Sequence, residues 1–334
     1  MNKQVVFTGK RKAELTDAAM PEPGPNQVLI KTIKTLISTG TELSVLSGDA
    51  PEDSVWARMF PYPYIAGYTN LGEVVGLGEG APGELLGRKV AGNGAHAHFV
   101  ATGIDDIREV PDYIGDDISI FFNLAEIAMH GVRKGSIKWG DTAAIFGAGI
   151  LGQLCAQFTL MCGASKVFVI DVSDYRLELL PAHKRLMPIN ANDSDASEII
   201  KKHNRGRLAD IVYELTGNQY LIPSEFAALR DEGTLVMLSS PLGPTLFDFH
   251  DLCNRTSVKI VGAHNFSHPK VATADNPWTN KRDCEFFFDM VRDGDVDMSR
   301  MISDRIAYTR APEMYQELLN NRGGHMGVVM DWRT

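Results

Sequence analysis

The chain has little cysteine: four residues in 334, at positions 155, 162, 253 and 284. No C-x-x-C pair occurs and no His lies at ligand spacing from any of them, so neither a disulfide framework nor a structural zinc is supported. Cys155 and Cys162, seven apart in an apolar periodic segment, are expected to face a helix packing surface as small hydrophobes. Basic charge is also short. Only 33 Lys and Arg stand against 42 Asp and Glu, a formal net charge of −9, which argues against a nucleic-acid partner. No uninterrupted apolar run approaches the ~18–20 residues a membrane span requires. The start, MNKQVVFTGKRKAELTD, lacks the apolar core of a signal peptide. A cytoplasmic protein with no membrane partner is the expectation.

What is present suits a turn-rich globular enzyme: 44% hydrophobic residues, 31 Gly and 16 Pro, on a chain long enough for two cores. Residues 1–117 read as β-rich, with VVFTG, QVLIKTIKTLIS, LGEVVGLG, RKVAGNG and AHFVAT as short strands between Pro and Gly turns. Over 118–266 continuous apolar strands (TAAIF, KVFVID, DIVYELTG, GTLVMLSS, KIVGAHNF) alternate with helix-like stretches. That alternation predicts a parallel sheet covered on both faces, an α/β doubly wound architecture. Residues 267–334 run from an irregular polar stretch into the helices CEFFFDMVRDG and APEMYQELLNN and a last strand, GVVMDW.

The strand TAAIF opens directly into Gly147-Ala148-Gly149-Ile150-Leu151-Gly152, a helix-like run follows, and the next strand ends in Asp171. Strand, glycine loop, helix and an acid about twenty residues on make up a dinucleotide-binding fingerprint. Gly147 permits the tight turn, Gly149 lets the backbone approach a pyrophosphate, and Gly152 lets helix pack close to strand. The helix start, with the N–H groups of Ile150 and Leu151, offers unpaired donors and positive dipole to phosphates. Asp171, with Val172 beside it, is placed to bond the ribose hydroxyls and repel a 2′-phosphate, so NAD is expected over NADP. Arg176 either accommodates such a phosphate or borders the adenosine pocket. The loops after later strands, at Leu215-Thr216, Ser239-Ser240 and His264-Asn265, are expected to flank the nicotinamide, because ligands of parallel sheets bind outside the strands' carboxyl ends.

Further segments carry a resemblance. PEPGPNQVLIKT, the glycines Gly67, Gly72 and Gly78, GRKVAGNGAHAHFV, IKWGDTAAIFGAGILG and GGHMGVVMDW together resemble the medium-chain dehydrogenase/reductase superfamily, over nearly the full length. The motif Ile37-Ser38-Thr39-Gly40-Thr41-Glu42 is similar to the group of bacteriochlorophyllide hydroxyethyl dehydrogenases and sugar- or polyol-type relatives. The resemblance implies a Rossmann domain over 118–266 and a discontinuous β-rich, GroES-like catalytic domain over 1–117 and 267–334. It also implies a homodimer or homotetramer, with KIVGAHNF nominated as the pairing edge. The zinc-ligand positions of the superfamily fall here on Ser38, Tyr68 and Leu124, and Thr69 replaces the Glu of its Gly-His-Glu signature. A hydroxyl, a phenol and a hydrocarbon make no tetrahedral zinc site, so the resemblance implies a fold of the zinc type working without metal.

Hydride transfer without zinc needs a proton acceptor and a group to meet charge on the substrate oxygen. Tyr68 can donate a hydrogen bond, act as a base if its pKa is lowered, or merely pack. Ser38, Thr41 and Glu42 share the loop that carries a ligand and a relay hydroxyl in the resembled enzymes. Glu42 can take the proton, bind a substrate hydroxyl or cap its own loop. His98, alternating with His96 in a predicted strand, is either a relay imidazole or a half-buried strand residue. The leading expectation is an NAD(H)-dependent, zinc-independent oxidoreductase interconverting a secondary alcohol and a ketone on a small substrate, with a sugar or polyol as the candidate class. A quinone or enone reductase, and a nucleotide-binding sensor without catalysis, are the alternatives.

Overall fold

The computed structural model describes residues 1–333. The chain divides into two compact units, Met1–Asn123 with Cys284–Thr334, and Leu124–Asp283. Both junctions fall inside helices, Phe122–Gly135 and Asn280–Asp293. Residues 267–283 therefore belong with the α/β unit, where the expected boundary had cut them off. The reason is a buried polar knot: His268 Nε2 and Asp283 Oδ2 lie 3.1 Å apart, Arg133 pairs with the other carboxylate oxygen, and its guanidinium stacks 3.8 Å over the Trp278 ring. No sequence period reports such ties.

The α/β unit is a six-stranded sheet, every neighbouring pair parallel. Across it run Leu186–Asn190, Lys166–Asp171, Thr142–Phe146, Ala209–Glu214, Leu229–Met237 and Lys259–Gly262. Continuous apolar strands produce this arrangement, since Phe168, Ile170, Val212 and Leu235 are buried in one core cluster. The chain starts in the middle, builds outward to one edge, and returns to build the other half. This places the reversal of strand order beside Thr142–Phe146, the position where doubly wound sheets bind ligands. The strand Leu186–Asn190 escaped the sequence reading because Pro188 interrupts its pattern; an edge strand tolerates the missing N–H. Lys259–Gly262 forms the opposite edge, with Ile260 43% exposed. Cys155 is buried in the helix Ile150–Met161, whereas Cys162 follows the helix end and is exposed, so the expected shared packing face is not formed. No helix among the described residues is long and apolar enough to cross a membrane.

The β-rich unit holds a seven-stranded and a three-stranded sheet. Its long strand Gln27–Ile37 pairs antiparallel with Asn70–Leu77, Phe99–Gly103 and the final strand Gly327–Asp331. The C-terminal tail thus completes the sheet begun by the N-terminal half. The spaced glycines have packing reasons here: a Cβ on Gly78 would stand 1.9 Å from the Gly24 carbonyl oxygen.

One buried group in the α/β unit has a titration consequence. Neither Glu225 carboxyl oxygen has a hydrogen-bond partner among the described residues, and burial, then the charge of Glu214, push its pKa up to about 9. An acid whose folded-state pKa exceeds its unfolded value holds its proton more tightly when folded. Its stabilising contribution is complete below the ordinary carboxylate range and is lost as pH rises through about 9. Glu225→Gln is therefore expected to flatten the fall of unfolding free energy across that window, by up to about 1 kcal/mol per pH unit. Urea unfolding at a series of pH values measures this; a slope equal to wild type would show that Glu225 ionises freely in the fold.

Candidate active site

In the α/β unit, the strand Thr142–Phe146 ends in Gly147, whose φ of +106° is left-handed. The helix Ile150–Met161 then starts at Gly149 with no side-chain cap, so its first N–H groups remain available to an anion. A Cβ on Gly152 would stand 1.9 Å from the Gly147 carbonyl oxygen, so only glycine allows the helix to sit on the loop. Ile150 is buried and Leu151 half-buried, leaving their backbones as their contribution. This is the cradle a dinucleotide pyrophosphate requires.

Asp171 closes the strand Lys166–Asp171, and its carboxylate already accepts three backbone donors: Ala148 N–H at 2.7 Å, Val172 N–H at 2.8 Å and Ser173 N–H at 2.9 Å. It thus ties the second strand to the glycine loop, a bracing role beyond the expected ribose contact. Val172 is exposed beside it. The Arg176 guanidinium reaches back to within 3.9 Å of the Cβ position of Gly149, placing a positive charge over the loop. Burial lowers its pKa while Asp171 opposes that shift.

A residue absent from the expectations organises the neighbouring loops. Glu214, fully buried at the end of Ala209–Glu214, accepts Thr216 N–H at 2.7 Å, Thr216 Oγ1–H at 2.6 Å and Gly217 N–H at 2.9 Å on one oxygen. Its other oxygen accepts the Ser239 hydroxyl. One carboxylate therefore gathers the loops at Leu215-Thr216 and Ser239, with Ser240 exposed at the rim. The signal was legible: an acid inside an apolar strand, directly before Leu-Thr-Gly. His264 caps the next loop by accepting Phe266 N–H at 3.2 Å, and Asn265 keeps a buried Oδ1 with no partner among the described residues.

In the β-rich unit the strand Gln27–Ile37 delivers Ser38, and the helix Thr41–Ser47 begins three residues later. Ser38 is 8% exposed and Glu42 1%. Glu42 Oε1 accepts the Ser38 N–H at 2.8 Å; Oε2 is 3.0 Å from His96 Nε2 and accepts the Tyr315 hydroxyl. The Tyr68 hydroxyl donates to Ser38 Oγ and is also bonded to the Thr41 side chain. Burial first, then the Glu42 charge, raises the Tyr68 pKa against the lowering effect of those two bonds. The phenol is a donor, and the reading of Tyr68 as a lowered-pKa base does not hold. Ser38, Thr41, Glu42 and Tyr68 are thus brought together, with Glu42 as an interior anchor.

His98 is not brought to this cluster. Its ring packs edge-on against Tyr308 and Trp332, with centroids 4.6 and 5.2 Å away, and burial, with Lys3 and Lys31, holds its pKa below the ordinary value. The segment 93–98 is irregular rather than a strand, so His96 and His98 face different surroundings. The structure puts His96 at Glu42 instead.

The donor set also bears on zinc. Ser38 and Tyr68 offer neutral hydroxyls already bonded to each other, and Leu124 is a buried hydrocarbon in its helix. Among the described residues no group of three His, Cys, Asp or Glu is placed to hold a metal ion. These residues do not fit a tetrahedral zinc of N and S ligands.

The family model of the zinc-binding dehydrogenases matches residues 151–278, a span that contains none of those three positions. The L-threonine 3-dehydrogenase of Chromobacterium violaceum is 24% identical, over 96% of this chain and 96% of that enzyme. Among solved structures, a putative zinc-binding dehydrogenase from Sinorhizobium meliloti bound to NADP aligns with a TM-score of 0.81 at 21% identity, over 99% of both chains. Galactitol-1-phosphate dehydrogenase from Escherichia coli aligns with a TM-score of 0.82 at 14% identity, over 99% of this chain and 100% of that one.

Gly152→Ala tests the cradle. The added methyl has no room against the Gly147 oxygen, so the loop must shift. NADH affinity, by fluorescence titration, is expected to fall about 10- to 100-fold; unchanged affinity would show that the loop does not carry the dinucleotide.

Proposed function

We propose that this chain, which belongs to the medium-chain dehydrogenase/reductase superfamily, is an NAD(H)-dependent oxidoreductase that interconverts a secondary alcohol and a ketone without zinc. The carrying observation is the Ser38–Tyr68 hydroxyl pair, set beside a buried carboxylate, at the positions where the sequence resemblance puts the superfamily's metal ligands. Bound nicotinamide supplies the hydride acceptor or donor. The chain's own groups must then hold the dinucleotide and meet the charge that develops on the substrate oxygen.

The first task falls to the uncapped helix N-terminus and Arg176 for the pyrophosphate, and to Asp171 for the ribose diol. The second falls to the hydroxyl pair. Tyr68 donates to Ser38 Oγ, which frees the Ser38 hydrogen to point at a substrate oxygen. In ketone reduction that oxygen gains negative charge as hydride reaches the carbonyl carbon. The Ser38 O–H, polarised by Tyr68, stabilises the charge by hydrogen bonding, and water supplies the proton that completes the alcohol. In the reverse direction the same hydroxyls hold the alcohol oxygen as hydride leaves, and the alcohol proton passes to water. A small polar alcohol fits this reading: the relative from Chromobacterium violaceum is named for L-threonine, and the Escherichia coli neighbour for a phosphorylated polyol.

Two measurements test these roles. Asp171→Ser is expected to weaken NAD binding by about tenfold and to narrow the preference over NADP, because one acceptor and one repelling charge are lost together. A wild-type protein binding NADP more tightly than NAD would put Arg176 in control.

For catalysis, the panel is L-threonine, galactitol 1-phosphate and simple secondary alcohols, each with NAD and NADP. Turnover is expected to survive a chelator, and Tyr68→Phe is expected to lower it by about 10²–10³-fold with NADH affinity unchanged. Chelator-sensitive turnover with one zinc per chain would overturn the metal-free reading. A Phe variant as active as wild type would make Tyr68 a packing residue.

A further inference from the structure

The Glu42 cluster contains more than the hydroxyl pair needs for its own bonds. Three segments far apart in the sequence send donors to one carboxylate: Ser38 by its backbone, His96 by its imidazole and Tyr315 by its phenol. His96 has no exposed surface, and its Nδ1 has no partner among the described residues. The same ring lies under Gly67, where φ is +93° and a Cβ would stand 2.6 Å from His96 Cγ. Gly67 precedes Tyr68, so His96 touches both the Ser38 anchor and the turn that carries Tyr68. Tyr315 is fixed in turn, its ring edge-on to Phe7 with centroids 5.0 Å apart.

Stability alone does not account for this cluster. A buried carboxylate and an orphaned imidazole nitrogen are costly, and an apolar cluster of the same volume is commonly at least as stable. What the charged arrangement adds is geometry, because Glu42 accepts donors only along defined directions.

We propose that Glu42, His96 and Tyr315 form a brace that positions the Ser38–Tyr68 hydroxyl pair, which makes His96 and Tyr315 positioning residues. This rests on the functional reading above. Removing a donor from the brace leaves Ser38 bonded to a carboxylate free to swing, and the hydroxyl pair loses its aim. Misplacement on the scale of an ångström is enough to cost a large part of a rate.

Tyr315→Phe keeps the ring and removes only the donor, while His96→Gln keeps an N–H able to reach Glu42. Two readouts apply to both. By hydrogen exchange, the Ser38 amide is expected to exchange roughly tenfold faster in Tyr315→Phe, with strand Gln27–Ile37 unaffected. With the fastest alcohol of the panel, kcat is expected to fall about 10- to 100-fold with KM and NADH affinity little changed, and His96→Gln to lose less. In a Ser38→Ala background, Tyr315→Phe should cost no further turnover. An unchanged Ser38 amide in Tyr315→Phe, or losses that simply add in the double variant, would overturn the brace. If Ser38→Ala and Tyr68→Phe are themselves fully active, the functional reading fails instead. If they are impaired and Tyr315→Phe is not, only the brace fails.

Discussion

The Glu42 carboxylate is the contact on which the polar cluster of the β-rich unit depends. A carboxylate with 1% exposure is tolerable only because three donors surround it. Those donors belong to the end of a strand, an irregular segment near residue 96 and the C-terminal helix Ala311–Asn320. Satisfying one charge therefore ties together parts of the chain separated by up to 273 positions. The loop bearing Ser38 and the turn bearing Tyr68 are held by this requirement.

The α/β unit uses the same device twice. Asp171 takes three backbone N–H groups and fixes the glycine loop against the second strand. Glu214 takes two backbone N–H groups and two hydroxyls, and fixes the loops after the fourth and fifth strands of the sheet. Each carboxylate stands at a strand end or just beyond one, where loop amides would otherwise lack partners. A loop anchored by a charge-assisted hydrogen bond is stiffer than one held by packing, since such bonds are shorter and stronger than neutral ones. Loops that must place donors around a ligand gain from that stiffness.

How much was legible follows the range of each interaction. The glycine turn could be read because its parts are local: strand, two close-packed glycines, helix and acid lie within about thirty residues. That Ser38, Tyr68 and Leu124 offer no tetrahedral set of N and S donors follows from those side chains taken singly. Glu214 left a readable sign, an acid in an apolar strand. Glu225, in a short helix, left none, and its unpaired burial is visible only in the packed structure.

The choice between His96 and His98 shows where sequence reasoning ends. Two residues apart in a predicted strand, they would share a face; the irregular backbone at 93–98 sends one to Glu42 and the other to Tyr308 and Trp332. Tyr315 carried no mark at all, being one apolar position of an amphipathic helix until its hydroxyl meets a buried charge. The sequence by itself determined the doubly wound sheet and the glycine turn between its first strand and helix, because periodicity and steric freedom are properties of neighbouring or single residues. Only the tertiary structure decided which polar groups converge on Ser38 and Tyr68, because a buried charge recruits its partners through space, without regard to their separation along the chain.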